Sequence, residues 1–259
     1  HILTIVQPIY FILVYHNILQ SKQKGSFMKK IGIIGGMGPL ATYDLAEKIV
    51  YYKHAKKDQD NVHVYIDCNT DIPDRTQAIL YGGKDPLPEI VKSAILLEGM
   101  GADVLVMPCN TAHYFYDRIV PFLDVPLLNM PRETAQYLKA EKVQKAAVLS
   151  TDGTRKSRIY DRALEEMGIE AIYPSDESQK ELMKIIYENV KANICEVKPE
   201  SISKVLAEVK EKGAQRWILA CTELPIAFKM AGLTDCNCVD PTAILARAAL
   251  KFVTSPEEK

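Results

Sequence analysis

From Lys30 onward the chain alternates short apolar runs with longer stretches whose apolar positions recur at helical spacing. The runs Lys30–Gly35, Val62–Asp67, Asp103–Pro108, Val125–Asn129, Lys145–Ser150, Ile169–Tyr173, Trp217–Ala220 and Cys236–Val239 read as strands. Helical spacing covers Leu40–Tyr52, Glu89–Met100, Arg132–Ala140, Arg155–Met167, Glu177–Lys191, Pro199–Lys212 and Pro241–Phe252. Pro39 suits a first helical turn, and Gly168 suits the position after a helix end. Asn69–Gln77 reads as a polar loop. Strands alternating with helices predict parallel sheets joined by right-handed crossovers. The expected fold is α/β with two similar lobes, each a mainly parallel four-stranded sheet flanked by helices. The first lobe takes residues 28–125 plus 236–259 and the second 126–235, with the active site in the cleft between them.

The first residues follow another pattern. Ile2–Leu19 is apolar but interrupted by Gln7, Pro8, His16 and Asn17, and polar Gln20–Ser26 follows. It lacks a basic n-region and a small-x-small cleavage site. Met28-Lys29-Lys30 ahead of a strand looks like a natural start, so residues 1–27 read as a non-native or leader extension. A membrane anchor is the competing reading of that segment.

Composition narrows the classes. Of 259 residues, 47% are hydrophobic and 25% charged, enough for a sizeable core. A net charge of -1 gives no basic excess for nucleic acid and no interaction tail. Six cysteines are too sparse for a disulfide scaffold and read as reduced thiols of a cytoplasmic protein. Cys236-x-Cys238 has no second ligand pair with zinc spacing, so no metal is expected.

Two cysteines stand in the same local context. The apolar run ending at Pro108 is followed by Cys109-Asn110-Thr111, and the run ending at Ala220 by Cys221-Thr222-Glu223. Each thiol is thereby expected beside a helix N-terminus, with Asn110, Thr111 and Thr222 as caps. Exposed N–H groups and the helix dipole favour an anion and a thiolate there. A single free cysteine usually packs as a small hydrophobe, but the repeated context argues for a pair. Two thiols on opposite sides of a carbon can do what one cannot: one removes a proton and the other returns one to the far face. Thr151, ending another strand, has the same geometry, and Met37 would line the floor. Gly36-Met-Gly-Pro-Leu-Ala41, with Asp67 ending the next strand, loosely suits a dinucleotide, but that reading leaves the cysteines without a role.

Gly35-Gly-Met-Gly-Pro39, Pro108-Cys-Asn-Thr-Ala-His113 and Ala220-Cys-Thr-Glu-Leu-Pro225 resemble the signatures of the aspartate/glutamate racemase family. Asp71-Ile-Pro-Asp-Arg75-Thr76 resembles a motif of its aspartate branch. The resemblance runs from Met28 to the C-terminus. It implies a racemase of two similar α/β lobes that uses no pyridoxal phosphate or other cofactor, acts on a small acidic amino acid and is often a homodimer. Its catalytic pair falls on Cys109 and Cys221. It implies that Arg75 is a substrate-binding arginine and that Lys191 binds the distal carboxylate. Independently of the resemblance, Asn110, Thr111, Thr222 and Thr151 at helix starts suit the α-carboxylate, with Met37 on the floor and Glu223 added to the substrate site. Glu223 stands where the glutamate branch carries histidine, which disfavours that branch and leaves open whether Glu223 or His113 assists a cysteine. The alternatives are a broad-specificity aspartate/glutamate racemase, a diacid isomerase of the same superfamily, or a non-catalytic dicarboxylate binder. A thiol-redox role is disfavoured because neither cysteine sits in Cys-x-x-Cys.

Overall fold

The computed structural model describes residues 28–192, 197–233 and 237–255; residues 1–27 and Cys236 lie outside these. The first half contains β1 (Ile31–Gly35), α1 (Pro39–Lys53), β2 (Val64–Cys68), α2 (Arg75–Tyr81), α3 (Leu87–Gly99), β3 (Val104–Val106) and α4 (Tyr116–Ile119). Then come α5 (Met130–Ala140), β4 (Lys145–Ser150), α6 (Asp152–Ser157), α7 (Ile159–Glu165), β5 (Glu170–Ile172) and α8 (Asp176–Lys184). The chain closes with α9 (Pro199–Glu211), β6 (Arg216–Ala220), α10 (Glu223–Met230), β7 (Cys238–Val239) and α11 (Pro241–Thr254).

All pairings are parallel, in two sheets ordered β2-β1-β3 and β5-β4-β6-β7. Every residue of β1 is buried, because helices cover both faces of the sheet. Ile31 and Ile33 pack with Leu45 and Ile49 of α1 and Leu245 and Ala249 of α11. Ile34, on the other face, packs with Ile90, Ala94 and Leu97 of α3. In the second sheet, Leu149 and Leu219 meet Leu182 of α8 and Val205 of α9.

Several elements differ from the sequence reading. The first sheet has three strands, and the strand expected at Val125–Asn129 shrinks to a bridge between Leu105 and Leu127. Pro126 has no N–H to extend the ladder, and Asn129 at once caps α5 by accepting from Arg132 N–H at 3.0 Å. Residues 236–259, expected to return together to the first sheet, divide: β7 is an edge strand of the second sheet, while α11 packs against α1 and α5. The single helix expected at Arg155–Met167 breaks at Arg158, which is left-handed (φ 56°). The helix expected over Glu177–Lys191 widens into a π-helical turn at Ile185–Val190.

Cys68, Cys109 and Cys221 are free thiols, whereas Cys238 is disulfide-bonded, so the expectation of uniformly reduced cysteines fails there. Among the described residues no helix is long and apolar enough to cross a membrane.

Candidate active site

The carboxyl ends of β1, β3, β4 and β6 meet around one cavity. Its wall includes Met37, Arg75, Cys109, Asn110, Thr111, Thr151, Lys191, Cys221, Thr222 and Glu223. The structure therefore brings every residue expected at the site to one place. Asp74, Thr76 and Tyr187 also line it and were not expected. Asp74 and Thr76 flank Arg75, which was a signal. Tyr187 lies four residues before Lys191 and carries no motif.

The floor depends on a tight turn after β1. Gly36 has φ 88°, and a Cβ there would lie 2.1 Å from the Asn69 carbonyl oxygen, so only glycine fits. Thr42 holds the turn, accepting from Gly36 N–H at 2.9 Å and donating to the Gly38 carbonyl at 3.0 Å. Met37 then presents its carbonyl to Arg75 Nη2 at 3.0 Å.

Arg75 opens α2 instead of lying in a loop. Asp74 caps that helix by accepting from Gln77 N–H at 2.8 Å, a local signal that makes a short helix out of polar sequence. The guanidinium is buried, and its Nη1 also donates to the Pro73 and Ile72 carbonyls at 3.0 and 3.3 Å. Nε has no protein partner. Burial pushes the Arg75 pKa down, but the charges of Cys109 and Asp74 outweigh it and hold the group above its usual range.

Cys109 is followed by a short 3-10 turn, Thr111–Phe115, in place of the expected α-helix. Asn110 does not cap it. Its Oδ1 accepts from Tyr160 O–H at 2.6 Å, and its buried Nδ2 has no protein partner. Thr111 instead joins the halves, its hydroxyl lying 3.0 Å from that of Thr151 and 2.9 Å from that of Thr154. Thr151 does cap α6, accepting from Thr154 N–H.

His113 is structural. Its Nε2 accepts from Met130 N–H at 3.1 Å, which leaves Nδ1 protonated to donate to the Cys109 carbonyl at 2.9 Å. Full burial drops its pKa to about 4. With both nitrogens engaged, it has no lone pair for a cysteine proton.

Glu223 does reach a cysteine. The Cys221 Sγ–H donates to Glu223 Oε2 at 2.9 Å, and the other oxygen pairs with Lys191 Nζ at 2.7 Å. The Thr222 hydroxyl also donates to Glu223 Oε2, at 3.3 Å, so it does not cap α10. Burial, then the Glu223 charge, pushes the Cys221 thiol up, against the lowering influence of Lys191. This overturns the expectation that a helix start lowers this thiol's pKa: desolvation and a neighbouring carboxylate outweigh the dipole. Lys191 is held above its usual range despite burial, chiefly by Glu223.

The two thiols thus have opposite partners, a guanidinium beside Cys109 and a carboxylate against Cys221. Each is about 5% exposed. Among the described residues no group of three or more His, Cys, Asp or Glu side chains could hold a metal ion.

The sequence model of the Asp/Glu/hydantoin racemase family matches residues 34–249. The broad specificity amino-acid racemase RacX of Bacillus subtilis is 30% identical over 226 residues, covering 85% of this chain and 96% of that one. An aspartate racemase from Picrophilus torridus superposes with a TM-score of 0.74 at 32% identity, over 87% of this chain and 94% of that chain. An aspartate racemase homologue from Pyrococcus horikoshii gives 0.73 at 27% identity, over 88% and 100% of the two chains. A glutamate racemase from Francisella tularensis shares the fold with a TM-score of 0.62 at 15% identity, over 87% and 81%.

Proposed function

This chain belongs to the Asp/Glu/hydantoin racemase family, and we propose that within it the protein interconverts L- and D-aspartate by two-cysteine proton transfer at Cα. The observation that carries the proposal is that two free thiols, Cys109 and Cys221, line one cavity with two cations, Arg75 and Lys191. One thiolate takes the Cα proton and becomes a thiol. The other thiol gives its proton to the opposite face and becomes the thiolate, so protons balance and the carbon inverts. The barrier is the weak acidity of Cα–H, and charge developing on the α-carboxylate needs donors already aimed at it. Asn110 Nδ2, buried and without a protein partner, is the donor we assign to that task. The chemistry assigned here uses side chains alone, with no cofactor, and it needs Cys109 and Cys221 reduced, which suits a cytoplasmic enzyme even with Cys238 disulfide-bonded. We assign a homodimer by analogy with the family.

A broader substrate range is the second reading, favoured by one contact. Lys191 is already paired with Glu223 at 2.7 Å, so a distal carboxylate must compete with a protein carboxylate for it.

The test is incubation with L- and D-aspartate in D2O, following Cα–H exchange and inversion. Wild type is expected to do both. Cys109→Ser and Cys221→Ser are each expected to lose inversion, because each removes the acid or base of one face. Full racemisation by either variant would end the two-cysteine reading, and turnover of alanine as fast as aspartate would favour the broad one.

A further inference from the structure

An amino acid brings one group that the two cations cannot hold, its α-ammonium. Among the described residues, the carboxylates lining the catalytic cavity are Asp74 and Glu223. Asp74 is committed elsewhere: its Oδ1 accepts from Gln77 N–H and its Oδ2 from the Tyr187 hydroxyl. Glu223 stands against the chemistry, with Oε2 2.9 Å from Cys221 Sγ. The ammonium sits on the carbon that Cys221 serves, so a carboxylate touching that sulfur is within its reach. The other oxygen, Oε1, pairs with Lys191 Nζ at 2.7 Å. That pair lies beside the floor turn, where a Cβ added to Gly38 would be 3.6 Å from Oε1 and 4.0 Å from Nζ. The Glu223 and Lys191 side chains are only 6% and 23% exposed. Separating such a pair is costly when either charge is left alone, and costs far less when each finds a new partner.

We propose that Glu223 receives the α-ammonium of the substrate, which enters the Lys191–Glu223 pair by exchange. The ammonium takes the place of Lys191 on Glu223, and the distal carboxylate takes the place of Glu223 on Lys191. The pair is then a filter for ligands that carry both charges. A diacid without an amine leaves Glu223 unpaired, and an amino acid without a distal carboxylate leaves Lys191 unpaired. The exchange also answers the competition for Lys191. It rests on the acidic amino-acid reading of the site.

The experiment measures dissociation constants by titration calorimetry for DL-aspartate, succinate and DL-alanine on wild type, Glu223→Gln and Lys191→Met. Wild type is expected to bind aspartate at least about tenfold tighter than either analogue. Glu223→Gln is expected to bind succinate more tightly than wild type does and aspartate more weakly, so the preference for aspartate over succinate falls at least about tenfold. Lys191→Met is expected to give the mirror image, gaining affinity for alanine and losing it for aspartate. A Glu223 that merely occupies Lys191 predicts otherwise, because its removal would tighten aspartate and succinate together. That result, an unchanged preference in Glu223→Gln, or no gain for alanine in Lys191→Met would overturn the exchange. Should one variant fail to fold, the other and the wild-type preference decide, and equal wild-type affinities for aspartate and succinate overturn it. Absence of aspartate binding to wild type would instead overturn the acidic amino-acid reading itself, so the two failures are told apart.

Discussion

Mild acid should weaken this fold through one buried imidazole. His113 is neutral in the folded protein with a pKa of about 4, against 6.5 for an unperturbed histidine. Below pH 6.5 the unfolded chain therefore takes up a proton that the folded chain refuses, so stability falls as pH falls. The loss grows until the pH passes about 4, where both forms are protonated. Between pH 7 and pH 5 this linkage costs about 2 kcal/mol. With a urea dependence of about 2 kcal/mol/M, the unfolding midpoint should drop by about 1 M. Glu208, held down to about 2 by Lys212 and by serine hydroxyls against the upward push of burial, loses its contribution only as pH falls from its unfolded value toward 2. It is therefore mostly outside the window. The assay is urea unfolding by fluorescence at pH 7, 6 and 5, on wild type and His113→Asn. The variant starts less stable, because Met130 N–H loses its acceptor, but its midpoint should change less with pH. A wild-type midpoint that is flat from pH 7 to 5, or a His113 resonance titrating near 6.5, would refute the reasoning. So would an equal slope in His113→Asn.

If the proposed clamp holds, Arg75→Leu should lower kcat/KM for aspartate by about a hundredfold or more, since it strips the cation assigned to the substrate and the charge beside Cys109. Arg75→Lys should recover little of this, because a single ammonium nitrogen lacks the planar fork by which Nη2 reaches the Met37 carbonyl while Nη1 reaches those of Ile72 and Pro73. Steady-state kinetics within twofold of wild type for Arg75→Leu would end the carboxylate-clamp assignment, and the same result for Arg75→Lys would show that charge alone suffices. Glu223→Gln should lower the pH at which Cys221 reacts with iodoacetamide, because the charge and hydrogen bond that push the thiol up are lost while Lys191 stays. The same variant should lower the melting temperature, because it leaves the mostly buried Lys191 ammonium without its carboxylate. An unchanged or higher midpoint in the alkylation pH profile would contradict the assigned contact.

The elements legible in the sequence were those dictated by continuous burial. β1, β4 and β6 are apolar runs, and the residues just past them, Met37, Thr151 and Cys221, do line the cavity. Both thiols were legible because the strand-then-cysteine pattern occurs twice. What stayed hidden depended on partners distant in sequence. Asn110 and Thr222 look like caps, but Tyr160, fifty residues on, claims one and the adjacent carboxylate of Glu223 claims the other. Tyr187 sits on an amphipathic helical pattern, and nothing in that pattern marks where the backbone widens by a residue. The break at Arg158 has neither glycine nor proline to announce it.

The path of α11 has its own consequence. By sequence it follows the last strand of the second sheet, yet Leu245, Ala246, Ala249 and Val253 form one wall of the core around β1. The two halves are therefore not separable pieces of chain. A ribosome that has finished residues 28–125 has made the helices that carry Leu45, Ile49, Ile90 and Leu97, but not the last helix, which completes the cover of one face of that sheet. The first half must wait with part of one apolar face open until the last helix emerges, so shielding during synthesis matters most for the part of the protein made first.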